Sequence, residues 1–413
     1  MIRTSSQSYG VIFLCLVAAC GDSPAPGSTP LLPPVEAGVE TGAPALPGPD
    51  AGSADGGASD AAPDAPAAPK VTTLVVVYPA AGKPLEVRGS VPPLSWDVGT
   101  PMKPLGNDTY ELTIAEGAGA FEWKPLLGGT WSRGPNYRAA KGQSTRIYPH
   151  FTQVKGAVDR RNGSFTSTVL PSTRGLWVYL PPSYLENSLA RFPVVYMHDG
   201  QNLFSASSAF GGNEWGVDET MDAAAESGAA REAIVIGIDN TPARMDELTP
   251  TRDDGIGAGG KGESYVSMVA TELKPLVDIE LRTLASPEET GIMGSSLGGL
   301  ISVYAGVERG DVFGLVGAMS PSTWWDNRMI ITRVGTLPQK AKRPLRVYVD
   351  SGNAGASNDD VNNTKDLAQA MRGAGYIDDS SLKYEVQAGA THSEVYWAQR
   401  LPSALAFLLG PGR

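Results

Sequence analysis

The 413-residue sequence predicts an α/β fold with a doubly wound, mainly parallel sheet, preceded by a small β-sandwich. Three observations carry this reading. Over residues 165–413, short apolar runs alternate with helical stretches, the pattern of a parallel sheet covered on both faces. Residues 71–155 instead show β-branched runs broken by Pro and Gly at roughly ten-residue spacing, a sandwich signature. Before them, residues 21–70 hold 11 Pro, 12 Ala and 8 Gly and no apolar periodicity.

Composition narrows the function classes. At 41% hydrophobic the chain can bury a substantial core, and its length suits more than one domain. The formal charge is −11, against polyanion binding, where Lys and Arg supply the affinity, so no nucleic-acid partner is expected. Residues 21–70 carry five Asp, two Glu and one Lys, about half of the excess acid. The rest of the chain is only mildly acidic. Two Cys exclude a disulfide-dense scaffold or a Cys-rich zinc module, and three His are too few for a multi-His metal site. No metal and no organic cofactor are expected.

The chain begins with Arg3 and a short apolar run, Val11–Ala19, too short to span a membrane. The run ends Val17-Ala18-Ala19-Cys20-Gly21. This resembles a bacterial lipobox, which implies removal of residues 1–19 and lipidation of Cys20. Residues 20–70 then read as a lipidated Cys and a disordered spacer, too poor in apolar surface to offset ordering entropy. The expected location is the bacterial cell envelope, anchored by lipid, with inner and outer membrane both open.

In residues 71–155 the strand candidates are Val71–Tyr78, Leu85–Val87, Thr109–Ile114 and Ala120–Lys124, enough for one immunoglobulin-like unit. Arg88-Gly89-Ser90, Leu94-Ser95-Trp96-Asp97, Phe121-Glu122-Trp123-Lys124 and Trp131-Ser132-Arg133-Gly134-Pro135-Asn136-Tyr137 follow in order. With these, the segment Glu86–Tyr137 resembles the starch-binding modules of carbohydrate-binding family 20. The resemblance implies a glycan partner, because flat aromatic faces stack on sugar rings. Trp96 and Trp123 are expected in the core; Trp131 and Tyr137, among polar and turn residues, are the ligand candidates.

In residues 165–413 the expected buried strands are Gly175–Leu180, Phe192–Met197, Ala233–Ile238, Glu289–Met293, Leu315–Ala318, Leu345–Val349 and Leu382–Val386. The expected helices are Ser264–Leu284, Leu297–Glu308, Thr364–Gly373 and Glu394–Leu408. The feature that carries chemistry is Gly291-Ile292-Met293-Gly294-Ser295-Ser296-Leu297-Gly298-Gly299. A strand runs into G-x-S-x-G and then into a helix. The flanking glycines permit a sharp turn that lifts a Ser hydroxyl above the sheet, and the helix N-terminus favours negative charge beside it. The motif makes Ser296 the nucleophile. A hydroxyl needs a base. His150 precedes this domain and His198 ends an early strand. His392 lies after the nucleophile and after the last strand, in the Ser, acid, His order of α/β-hydrolases, so His392 is the base. The acid belongs after Leu345–Val349, where Asp350, Asp359 and Asp360 stand. Asp350, at the strand end, reads as fixing the local loop.

The domain resembles the esterase family that includes esterase D, feruloyl esterases, enterobactin-type siderophore esterases and mycolyltransferases. The resemblance rests on His198-Asp199-Gly200-Gln201-Asn202, Gly211-Gly212-Asn213-Glu214-Trp215-Gly216-Val217-Asp218, Gly237-Ile238-Asp239-Asn240, Arg244, Glu247, the serine elbow and Ser320-Pro321-Ser322-Thr323-Trp324-Trp325. It implies a triad acid a few residues after a Gly and beside a helix start. That favours Asp360 and then Asp359, although this chain has more residues between Gly352 and Asp359 than the family pattern. It also implies an α/β-hydrolase fold and hydrolysis of a carboxylic ester through an acyl-enzyme. Oxyanion donors would come from the backbone N–H of Leu297 and of the Gly200–Gln201 turn. Arg244, after the strand Ala233–Ile238, and Trp325, after the strand following the elbow, are candidates for substrate contact. Three functions are expected in order: an esterase on acylated carbohydrate; a siderophore esterase or acyltransferase; a non-catalytic glycan-binding lipoprotein.

Overall fold

The computed structural model describes residues 71–114, 119–338 and 344–411, without the side chains of 162–164. Cys20, the leader 1–19 and the spacer 20–70 lie outside the described residues. Everything below concerns residues within one compact unit.

The first eighty residues of that unit build two β-sheets. One orders Lys103–Gly106, Thr109–Ile114, Thr72–Val77 and Ser144–Ile147. The other orders Thr100–Pro101, Leu85–Gly89, Phe121–Leu127 and Thr130–Trp131, with Tyr137–Ala139 also pairing to Phe121–Leu127. Alternate residues of both sheets, among them Leu74, Val76, Val87, Ile114, Phe121 and Trp123, share one apolar core. Two aromatic expectations change here. Trp96 follows Ser95 in a turn and is 38% exposed, so it is not core. Tyr137 packs against that core with its ring 5.5 Å from Trp123, which removes it as a ligand candidate. Its strand pairs Tyr137 with Trp123, and the pairing turns the ring inward. Trp131 is 38% exposed, as a ligand residue requires.

The α/β region holds an eight-stranded sheet. Its strands are β1 (Ala157–Ser167), β2 (Ser172–Leu180), β3 (Val194–His198), β4 (Ile234–Ile238), β5 (Thr290–Ser295), β6 (Leu315–Met319), β7 (Arg346–Gly352) and β8 (Leu382–Gln387), in the order β1-β2-β4-β3-β5-β6-β7-β8. β1 runs antiparallel to β2 and β2 antiparallel to β4; the remaining neighbours are parallel. The sheet is mixed, and the fold is α/β-hydrolase-like. β1 begins ahead of residue 165 and carries Asp159, Arg160 and Arg161, so no apolar run announces it in the sequence. An antiparallel edge strand can be this polar because only one side is paired.

Within β3–β7 successive apolar residues alternate between two cores. Val194 and Tyr196 face one, with the helices Leu297–Glu308, Trp325–Gly335 and Val361–Gly373. Val195 and Met197 face the other, with the helix Val217–Ser227 and the C-terminal helix Glu394–Leu409. Burial on both faces explains the near-continuous apolar strands. The helix expected over Ser264–Leu284 is broken: Gly262–Met268, a π turn at Val269–Leu273, then Lys274–Glu280. Pro275 sits just beyond the π turn and cannot donate a backbone N–H, so the regular ladder stops there.

Glu186 and Asn187 join the two regions. Glu186 accepts from Tyr78 Oη, the N–H groups of Phe151, Thr152 and Gln153, and Thr152 Oγ1, all at 2.7–2.8 Å. Asn187 is buried and donates to the carbonyls of Val77 and Pro149, both at 3.0 Å. Burial would raise the Glu186 carboxyl, but these donors outweigh it and hold it down at about 2.

Candidate active site

Ser296 stands between β5 and the helix Leu297–Glu308 with φ 56° and ψ −122°. Its N–H donates to Met319 O at the end of β6, 3.0 Å away. This turn requires its glycines. A Cβ on Gly294 would lie 2.9 Å from His198 Cδ2 and 3.0 Å from the Gly298 carbonyl carbon. A positive φ at a serine is costly, and such strain gathers where a side chain must be presented. Ser296 Oγ rests 3.3 Å from Ser322 Oγ.

His392 follows β8 and precedes the C-terminal helix. Its Nδ1 lies 2.6 Å from Asp359 Oδ1. Its ring meets Trp397 edge-on, with centroids 5.0 Å apart. Asp359 is fully buried and also accepts from Ser320 Oγ at 2.7 Å and from the N–H of Gly352. Burial would raise its carboxyl, but the bonds from His392, Ser320 and Gly352 hold it below the usual carboxylate value. Asp360 turns elsewhere, accepting from Thr323 Oγ1 and Asn363 Nδ2, both at 2.7 Å, and burial pushes it upward. Of the two adjacent candidates, Asp359 is the one on His392. Residues 358–360 all adopt positive φ, a left-handed turn that points neighbouring side chains in different directions. Asp350 is buried and ion-paired to Arg400 at 2.9 Å, and its Oδ1 accepts from the Ser320 N–H.

The other side of the site is built around Asp199, at φ 55°, which opens the short turn Gly200–Asn202 after β3. Gly200 is required: a Cβ there would sit 2.7 Å from the Gly237 backbone. Arg244 binds Asp199 through Nε at 2.6 Å and Nη2 at 2.8 Å, and Asn240 Nδ2 adds a third bond at 2.6 Å. Burial works against the Asp199 charge, and Arg244 with Asn240 overcomes it, holding the carboxyl low. Two of the Arg244 nitrogens are thus spent on holding this turn. Gln201 Oε1 accepts from the Asn240 N–H at 3.2 Å, further bracing it. Leu297 opens the elbow helix, where first-turn N–H groups have no acceptor within the helix. His198 is buried, its Nδ1 is 2.8 Å from Tyr265 Oη, and burial lowers its pKa to about 4. It is a neutral packing element under the elbow, while His150 is buried beside the β-region.

Trp325 does not reach the cleft. It is 1% exposed, and its Nε1 donates to Thr251 O at 2.9 Å. The helix that starts there rotates it into the core. Trp324, one residue earlier and 45% exposed, is the accessible indole, two positions from Ser322. Residues to which the sequence assigned no role also meet here: Ser320, Trp397 and Arg400. One signal for Arg400 was present. It shares the apolar stripe of Trp397, Leu401, Ala404 and Leu405, where a charge needs a buried partner.

Residues 167–408 match the family model described as "Putative esterase". YbbA, an uncharacterised protein of Bacillus subtilis strain 168, is 29% identical over 248 residues, 58% of this chain and 94% of its own length. A siderophore enterobactin esterase of Emericella nidulans is 29% identical over 157 residues, 33% of this chain and 48% of its own. A solved ferulic acid esterase superposes with a TM-score of 0.50 at 22% identity, covering 62% of this chain and 98% of that one, a likeness of fold. The family match spans more than half of the chain, and its region contains the whole elbow and the His392–Asp359 pair. This chain belongs to that esterase family and is an esterase.

Proposed function

We propose that the chain hydrolyses carboxylic esters through Ser296, His392 and Asp359, acting on an acylated carbohydrate or a similar small ester. The observation that carries this reading is the 2.6 Å contact of His392 Nδ1 with buried Asp359, at the same sheet edge as the Ser296 elbow. That contact leaves Nε2 of His392 as the proton acceptor. The Ser296 hydroxyl turns from Ser322 toward His392, loses its proton and attacks the ester carbonyl. The N–H groups of Leu297 and of the Gly200–Gln201 turn bind the developing oxyanion. His392 protonates the leaving alcohol, then activates water against the acyl-enzyme. Ser296→Ala is expected to lower kcat on p-nitrophenyl acetate by about 10⁴-fold or more. Full activity in that variant would end the assignment.

The carbohydrate part of the reading rests on the β-region. Trp96 and Trp131 are both exposed, with ring centroids 6.2 Å apart, and the Arg88 guanidinium lies 5.3 Å over Trp131. They border an open depression of about 700 Å³ that also takes in Lys124, Asn136 and Glu226. A siderophore ester is the second reading, favoured by the similarity to the Emericella nidulans enzyme. Comparing acetylated and feruloylated oligosaccharides with catecholate triesters as substrates separates the two by kcat/KM. Anchoring at Cys20 in the bacterial cell envelope belongs to the same proposal.

A further inference from the structure

Ser320 is the last residue before Pro321 at the end of β6, with φ 39°. Its side chain is buried and meets three partners. Trp397 Nε1 lies 3.0 Å from Ser320 Oγ, Arg400 Nη2 lies 2.8 Å from it, and Asp359 Oδ2 lies 2.7 Å away. The chemistry of these groups leaves no freedom in who donates. An indole N–H and a guanidinium can only donate, so they occupy both lone pairs of the hydroxyl. A carboxylate can only accept, so the single Ser320 proton goes to Asp359 Oδ2. The Gly352 N–H reaches the same oxygen. With Oδ2 held by two donors, the carboxylate cannot rotate, and Oδ1 stays aimed at His392 Nδ1.

The hub is itself held from below. Asp350 Oδ1 accepts from the Ser320 N–H at 2.9 Å, and the Asp350 carbonyl accepts from the same N–H at 3.0 Å. Asp350 also sits 2.9 Å from Arg400 Nε, which balances the buried guanidinium charge. A left-handed serine before proline is a strained placement. Here it sets the hydroxyl where one group can take two donors and pass one proton on.

We propose that Ser320 is a positioning residue for ester hydrolysis, its hydroxyl polarised by Trp397 and Arg400 so as to lock the Asp359 carboxylate toward His392. The inference rests on the triad reading above and adds a residue that never touches substrate. Removing the hydroxyl leaves Asp359 Oδ2 with the Gly352 N–H alone, so the carboxylate can turn and His392 loses its fixed orientation.

The test uses the full chain and p-nitrophenyl acetate. Ser320→Ala removes the hydroxyl; Ser320→Gly removes it and also relieves the positive φ. Both are expected to lower kcat by about 10- to 100-fold with KM within about twofold, the size of effect expected from misplacing a catalytic group. Both are also expected to weaken or move the downfield proton resonance of the His392–Asp359 hydrogen bond. Ser320→Cys keeps the volume but donates weakly, and is expected between wild type and Ser320→Ala. Wild-type kcat in Ser320→Gly, or an unchanged downfield resonance, overturns the proposal. If the Ala and Gly variants do not fold, wild-type kcat in Ser320→Cys overturns it instead. Ser296→Ala is run beside them: activity surviving there marks failure of the triad reading, whereas loss there with wild-type kcat in the Ser320 variants marks failure of this inference alone.

Discussion

At the scale of single residues, the site separates neighbours that look alike. Asp359 and Asp360 are adjacent acids beside the same helix start, yet one holds His392 and the other holds Thr323 and Asn363. Asp359→Asn is therefore expected to lower kcat by about 10³- to 10⁴-fold, because an amide favours the wrong imidazole tautomer. Asp360→Asn is expected to change it by less than about tenfold. Single-turnover kinetics on p-nitrophenyl acetate distinguishes the two, and equal losses would remove Asp359 from its role. His198 supplies a pH dependence. Its folded pKa of about 4 lies below the ordinary value of 6.5, so the unfolded chain binds this proton first as pH falls. Its contribution is complete above about pH 6.5 and is lost between there and about pH 4, a loss of about 3 kcal/mol. Urea unfolding across that window is expected to show the slope in wild type and a shallower one in His198→Gln.

At the scale of elements, positions were legible where local pattern and fold agree. β3 to β7 are buried on both faces, so their apolar runs stand out. β1 was not legible, because an edge strand with Asp159, Arg160 and Arg161 carries no apolar run. The helix Val217–Ser227 was missed for a related reason: only Val217 and Met221 are buried on it. Trp325 and Trp324 show the limit at a helix start, where a rotation of one residue decides which indole is packed and which is exposed. The short helix Pro182–Glu186 does a job that its sequence does not advertise. Its last residue gathers five donors from the β-region. Glu186→Ala strands these donors and is expected to cost about 2 kcal/mol of stability, since hydrogen bonds to a charged group are among the stronger ones. Denaturant midpoints measure it. A midpoint equal to wild type would show that water replaces the carboxylate without loss.

At the scale of the molecule, the β-region and the α/β region meet through specific polar contacts: those of Glu186 and Asn187, and the Arg133–Glu226 ion pair at 3.0 Å. An exposed pair like Arg133–Glu226 contributes little alone. The buried Asn187 and the five bonds to Glu186 do more. The depression beside Trp96 and Trp131 reaches across this junction to Glu226, so glycan bound there would touch both regions. Affinity electrophoresis of the full chain through soluble polysaccharides is expected to retard wild type, and Trp131→Ala is expected to lose at least about tenfold in apparent affinity, the worth of one stacked aromatic ring. Wild type that migrates unretarded in every polysaccharide would remove the glycan from the proposal.

The sequence alone determines the elements whose chemistry is local. A strand, two glycines, a serine and a helix announce the Ser296 turn, because glycines permit the sharp strand-to-helix bend that presents the hydroxyl. The parallel core follows from apolar runs that need two covered faces. A shortage of histidines points to His392 by its place in the chain. Contacts between distant segments were decided only by tertiary structure. Ser320, Asp350, Asp359, Trp397 and Arg400 come from the turn after β6, from β7, from the loop after it and from the last helix, and nothing in their spacing announces that they meet. Their partnership exists because the sheet brings strand ends together at one edge and the C-terminal helix packs beneath them. Hydrogen-bond direction is set there, by groups that can only donate facing groups that can only accept.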